Sequence, residues 1–322
     1  MLTIDAEKIQ EWSSIGARGA FGAAMMALGE MMDDLVVLTA DLSDATRVTQ
    51  FKNKFPHKFY NIGIAEQNLI GIAAGMAKEG KTVFATTFAA FASMRACEQV
   101  RTNMGYMQQN VKFLGADGGV VMGTLGNTHY AVEDLAIIRA MPYLTVLSPA
   151  DGLEIIKATM AAAAMKGPVY IRLTGAANNP VVYEEDYDFE IGKAVKLREG
   201  GDIAIIATGT MVYESLQAAK ILKDKGLEAG IYDMHTIKPL DVQAIQEACK
   251  GARLLVTVEE HSVIGGLGSA VAEVKTAIPG APVQMIIGLP DRFGKIGTYR
   301  EQLIRYGLTG EQIAEKILNG MK

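Results

Sequence analysis

Short β-rich runs alternate with Ala- and Met-rich helical stretches along this chain, and that rhythm narrows the folds open to it more than any other feature. Leu35 to Leu38 (LVVL), Thr82 to Ala85 (TVFA), Val111 to Leu114 (VKFL) and Leu144 to Leu147 (LTVL) are apolar runs of strand length. Between them lie helix-like segments at Arg18 to Met32, Glu66 to Lys78, Ala89 to Met104 and Gly152 to Met165. Strands that are apolar on both faces belong inside a covered sheet, and the helices between them supply the crossovers that parallel strands need. The pattern predicts an α/β fold with a mostly parallel sheet.

Asn178 to Glu190 (NNPVVYEEDYDFE) interrupts the rhythm with Asn, Pro and a cluster of acids. We place a first domain at 1–180, a linker at 181–190 and a smaller α/β domain at 191–322. In the second domain Ile203 to Ala207 (IAIIA) leads through Thr208-Gly209-Thr210 into a helix spanning Ser215 to Lys225. Ala229 to Met234 and Leu254 to Glu259 read as strands, and Gly265-Gly266-Leu267-Gly268 opens a helix. The 322 residues are enough for each domain to bury a core.

Composition excludes several classes. A net charge of -5 argues against a general nucleic-acid binder, and no apolar run reaches membrane-spanning length or resembles a signal peptide. Cys97 and Cys249 have no redox or metal spacing, and the count of four histidines argues against a His-rich metal site. The expected location is the cytoplasm. Gly115-Ala116-Asp117-Gly118-Gly119 and Gly265-Gly266-Leu267-Gly268 lack both the G-x-G-x-x-G spacing and the Walker lysine, so they read as tight turns.

The most informative segment is Asn61 to Gly75, NIGIAEQNLIGIAAG. It is almost wholly small or aliphatic, so on a helix both faces should pack inside the protein. Its single acid, Glu66, stands at the start of that helix. There it is either a solvated carboxylate favoured by the helix dipole or a buried acid that needs a specific partner. Periodicity alone leaves both readings open.

GIAEQN followed by IGIAAGMA resembles the cofactor-activating motif of the transketolase and deoxyxylulose-phosphate synthase group. The resemblance extends over nearly the whole chain, to the tail Gly288-Leu289-Pro290-Asp291-Arg292-Phe293-Gly294. It implies that Glu66 faces N1′ of the aminopyrimidine of thiamine diphosphate and tunes its acidity. It also implies that Phe88, Phe91 and Met94 form the wall around that ring, and that Asp41 lies at an inter-subunit cofactor site. His129, in Asn127-Thr128-His129, would face the reacting carbons. Without the resemblance, Phe88, Phe91 and Met94 read as core, Asp41 as a helix cap and His129 as structural.

The same resemblance implies a partner. The Gly-Asp-Gly motif that holds Mg²⁺ and the diphosphate is missing, so those groups would be held by a separate N-terminal subunit, with two heterodimers per particle (α2β2). The substrate-facing positions are Arg18, Asp117, Leu125, His129 and Arg172. Asp117 stands for the family's histidine, Leu125 for an aspartate, Ala45 for a serine and Gly175 for a phosphate-binding arginine. Arg172 lies close enough to stand in for that arginine on an anionic substrate. The expected reaction is transfer of a two-carbon ketol unit from a ketose to an aldose. The alternatives are an acyloin-forming enzyme like deoxyxylulose-phosphate synthase, the β subunit of a 2-oxo-acid dehydrogenase, and a non-catalytic paralogous subunit.

Overall fold

The computed structural model describes residues 3–321. Helix α1 (Ala6–Met31) starts at Asp5, whose carboxylate accepts from the Lys8 N–H at 2.8 Å. It is longer than the predicted Arg18 to Met32. Gly16 breaks it with φ 73°, where a Cβ would collide with the Ala176 carbonyl. Residues 178 and 179 cross there, their N–H groups bonding the Ser14 and Ser13 carbonyls.

Strands β1 (Leu35–Thr39), β2 (Phe59–Asn61), β3 (Thr82–Phe88), β4 (Val111–Ala116), β5 (Thr145–Leu147) and β6 (Val169–Arg172) form a parallel sheet in the order β5-β6-β4-β3-β1-β2. The intervening helices are α2 (Thr49–Lys54), α3 (Glu66–Lys78), α4 (Cys97–Gln99), α5 (Asp134–Arg139) and α6 (Gly152–Ala164). The predicted helix over Ala89 to Met104 is instead two wide π-helical turns, Phe91–Arg95 and Val100–Tyr106, flanking α4. Such turns gather at functional sites.

One expectation fails at α3. Leu69, Ile70, Ala73, Ala74 and Ala77 are buried, but Gln67, Asn68, Gly71 and Gly75 are exposed. Only one face is packed within this chain. Small size alone does not report burial, because a small residue suits an open surface as well as a tight one.

The second sheet runs β12 (Val283–Leu289), β11 (Leu254–Ser262), β8 (Ile203–Ala207), β9 (Ala229–Asp233), β7 (Val195–Arg198), with β7 antiparallel and the rest parallel. Around it lie α7 (Met211–Asp224), α8 (Val242–Cys249), α9 (Leu267–Lys275), α10 (Tyr299–Tyr306) and α11 (Gly310–Gly320). Strand β10 (Thr236–Lys238) leaves this unit and adds antiparallel to β5, covering an edge of the first sheet. The sequence carried no sign of that exchange.

The segment between the sheets has no helix or strand, yet it is fastened. The Val182 and Tyr183 N–H groups donate to Asp151 at 2.8 and 2.9 Å, and Tyr183 stacks on Tyr187 at 4.0 Å. The Tyr187 hydroxyl donates to Glu154 of α6 at 2.7 Å and that of Tyr183 to Asp233 of β9 at 2.8 Å. Asp233, whose Oδ1 accepts no hydrogen bond among the described residues, feels the charge of Glu154 across this seam. Burial pushes Glu154 up to about 7 and Asp233 well above its ordinary range, and the neighbouring Asp151 adds to both shifts.

A carboxyl group with a raised folded pKa stabilises fully below its unfolded pKa and loses that contribution as pH rises through the folded value. The melting temperature should therefore fall as pH rises from about 4.5 to about 7. Glu154→Gln, which keeps the shape without the titration, should fall less steeply over the same range. Equal slopes in thermal melts of the two proteins would exclude the titration of Glu154 at this seam.

Candidate functional site

Because the first sheet is parallel, the carboxyl ends of its strands lie along one edge, the usual ligand-binding edge of such sheets. Asp41 follows β1, Asn61 ends β2, Phe88 ends β3 and Asp117 follows β4. The register Phe88↔Ala116 sets the last two side by side.

Glu66 opens α3 below Phe88 and is 1% exposed. Of its two open readings, the buried acid with specific partners is the one realised. The Thr87 hydroxyl donates to Oε1 at 3.2 Å. The Arg95 guanidinium donates to Oε1 at 2.9 Å and to Oε2 at 2.8 Å. Arg95 also lies 4.0 Å from the centre of the Phe91 ring, while its own side chain is 44% exposed. The acid is thus shut off from solvent behind a partner that is not.

Three rings stand together beside it. Phe88 and Phe91 are 6.0 Å apart, and His129 meets them edge-on at 6.4 and 5.4 Å. Phe88 is buried, Phe91 and His129 are half-buried, and Met94 is exposed on the rim. His129 follows a short 3₁₀ turn (Gly126–Thr128), and its Nδ1 lies 3.0 Å from the Thr128 hydroxyl. Asn127 exchanges two hydrogen bonds with Gly294, at 2.9 and 3.1 Å, so the tail of the second unit steadies the histidine turn. A cleft of about 550 Å³ runs between them, lined by Phe91, Met94, Arg95, Asn127, Arg292 and Phe293.

Farther along the edge, Asp41 adopts φ 58° and pairs with Asn61, whose amide donates to its carboxylate at 2.8 Å. Arg18 lies 3.3 Å from Asp117 and donates to the Ala45 carbonyl at 3.1 Å. Leu125 is half exposed on the loop before the histidine turn.

Arg172, expected on the substrate, is elsewhere. It is 1% exposed and donates from Nε to both oxygens of Asp134, at 3.0 and 2.8 Å, and from Nη2 to the carbonyls of Ala131 and Glu260. Sequence proximity to a lost arginine says nothing of direction, and this side chain turns into the seam between the two units.

Sequence reasoning missed Arg95 and Asn61. One helical turn separates Arg95 from Phe91, but a lone arginine on an irregular helix gave no cue. Asn61 lay in a quoted segment without a role.

A buried acid below a wedge of aromatic rings, at the carboxyl edge of a parallel sheet, suits a flat heteroaromatic ring that exchanges a proton. The comparisons agree on the class. The transketolase pyrimidine-binding domain matches residues 13–179 and the transketolase C-terminal domain matches residues 192–313, so the chain belongs to the transketolase family.

The chain is 44% identical to a putative transketolase C-terminal section from Methanocaldococcus jannaschii, covering 95% of this chain and 96% of that one. It is 40% identical to one of the subunits of an apulose-4-phosphate transketolase from Phocaeicola vulgatus, covering 96% and 98%. A split-gene transketolase solved as an inactive β4 tetramer superposes with TM-score 0.85 at 40% identity, covering 95% and 98%.

If Arg172 belongs to the seam, Arg172→Leu should act on stability. It strands the Asp134 carboxylate, and losing one partner of a buried pair costs about 3–5 kcal/mol. A large drop in the urea midpoint is expected. An unchanged midpoint with altered substrate kinetics would return Arg172 to the substrate site.

Proposed function

We propose that this chain is the pyrimidine-binding half of a two-chain transketolase, moving a two-carbon ketol unit from a ketose to an aldose. Glu66 carries this reading: it is buried, yet reachable behind a half-exposed arginine and beside an aromatic wedge. The residues present fit the pyrimidine end of thiamine diphosphate. Phe88 and Phe91 offer ring faces, Met94 closes the rim, and Glu66 would share a proton with N1′.

When bound, thiamine diphosphate supplies the carbon nucleophile and electron sink for cleavage beside a ketose carbonyl. Glu66 holds and returns the ring proton. Arg95 must give up at least one carboxylate oxygen for that contact to form. His129, steadied by Thr128, orients hydroxyls or moves protons at the reacting end, and Asp41 serves the cofactor site from the sheet edge.

Among the described residues no group of three or more His, Cys, Asp or Glu side chains could hold a metal ion. The Gly-Asp-Gly motif is missing from this sequence, and we assign Mg²⁺ and the diphosphate to a partner subunit that carries it. The open face of α3 supports such a partner, since exposed Tyr60, Ile64 and Tyr106 lie on elements around it. The inactive state of the solved β4 relative agrees with a chain that is incomplete alone, and we assign an α2β2 assembly. We place the enzyme in the cytoplasm; among the described residues no helix is long and apolar enough to cross a membrane.

The test is co-expression with a Gly-Asp-Gly chain encoded by a neighbouring gene, assayed with thiamine diphosphate, Mg²⁺ and a panel of ketoses. The pair should be active and this chain alone inactive. Glu66→Ala should lower turnover by at least about 10²-fold with an unchanged fold, because Arg95 can turn to water. Wild-type rates from that variant would remove the reading, and reaction of pyruvate in place of every ketose would replace it with acyloin formation.

A further inference from the structure

The far end of the sheet edge holds a buried acid of a different kind. Asp117 takes a left-handed conformation, φ 56°, which is uncommon for a residue with a side chain. Its side chain is 1% exposed, and neither carboxylate oxygen accepts a hydrogen bond within the described residues. Burial pushes its carboxyl up to about 6 against the opposing pull of Arg18. Both features are unfavourable for folding, and such features persist where a site uses them.

Asp117 lies behind Arg18. The Arg18 side chain is 32% exposed, while Asp117 Oδ2 sits 3.3 Å from its Nη1. A solute meets Arg18 first, with its charge offset from within. Neither of the other positions expected to bind an anion adds charge there. Arg172 is enclosed with Asp134. Gly175 has φ 91°, and a Cβ would lie 2.6 Å from Asn179 Oδ1, so the backbone there does not accommodate an arginine. Across from Arg18, Ala45 offers only its carbonyl oxygen.

We propose that Arg18 and Asp117 act as one electrically balanced unit that selects a ketose ending in an uncharged, hydroxyl-bearing chain over one ending in phosphate or sulfonate. Arg18 donates hydrogen bonds to hydroxyl oxygens, and Asp117, a positioning residue, holds the guanidinium and cancels the charge that would attract an anion. The inference rests on the ketol-transfer reading and narrows its substrate class.

The test uses the reconstituted two-chain enzyme with xylulose and xylulose 5-phosphate as donors, scored as the ratio of their kcat/KM values. The wild-type pair should favour xylulose. Asp117→Asn, which keeps the shape and removes the charge, should shift the ratio toward xylulose 5-phosphate by on the order of tenfold, mostly through KM for the phosphate. Asp117→Glu, which restores the charge, should return it toward the wild-type value. Thermal melts of the Asn variant should show no loss, since a buried, poorly partnered charge has been removed.

A wild-type preference for xylulose 5-phosphate, or an Asn variant whose ratio stays unchanged, would overturn the inference while leaving ketol transfer standing. Failure of the pair with both sugars and with the rest of the ketose panel would remove the ketol-transfer reading and this inference together.

Discussion

The ion pair between Arg172 and Asp134 holds the two halves of the molecule and the site in one frame. Both side chains are almost wholly excluded from water, and two ionised groups are stable there only if each is thoroughly bonded. Asp134 takes both its contacts with Arg172 Nε and a third from the Tyr170 hydroxyl at 3.0 Å. Arg172 continues to the Glu260 carbonyl on β11, in the other unit. The Glu260 carboxylate then accepts from the Val120 N–H and from the hydroxyls of Thr210 and Tyr299. The loop from Asp117 to Glu133, which carries His129, is thus pinned at Val120 and again where α5 begins.

This gives the second unit a physical part in the site. Its tail, recognisable in the sequence but without evident chemistry there, bonds Asn127 through Gly294 and borders the cleft with Arg292 and Phe293. The glycine-rich run at 265–268 turns its N–H groups inward. The N–H groups of Leu267 and Gly268, at the start of α9, donate to the Glu259 carboxylate at 2.7 and 2.8 Å, so a helix N-terminus that could hold an external anion is occupied by an internal one.

Much of the first sheet was legible because its strands are continuous aliphatic runs, a pattern that survives any detail of packing. β2 and β6 were missed; Phe59–Asn61 and Val169–Arg172 are too short and too mixed to stand out. β10 was illegible for a different reason: three residues pair with a sheet encoded far upstream, and local pattern carries no such information. In the site, Glu66, Phe88, Phe91 and His129 were named in advance and stand together, because a family motif preserves spacing around a shared geometry. Arg172 was misread because side-chain direction depends on what the strand end faces. Arg95 went unseen because its partner lies 29 residues away in sequence.

Buried acids alone would not have located the site, since this chain has many and handles each differently. Glu259 is held by a helix start and Glu260 by hydroxyls. Glu154 and Asp233 each accept from a tyrosine hydroxyl, and Asp134 is locked to Arg172. All of these are closed: their partners are themselves buried or fastened to the fold. Glu66 and Asp117, at the sheet edge, differ, for each meets an arginine side chain that is part exposed, Arg95 at 44% and Arg18 at 32%; Glu214 of α7 meets Arg300 in the same way in the second unit. An arginine on a flexible stem can release one oxygen and take another at modest cost, whereas Asp134 has no such exchange open to it. Access through a movable partner, added to burial, is what separates an acid that can act on a ligand from one that only holds the protein together.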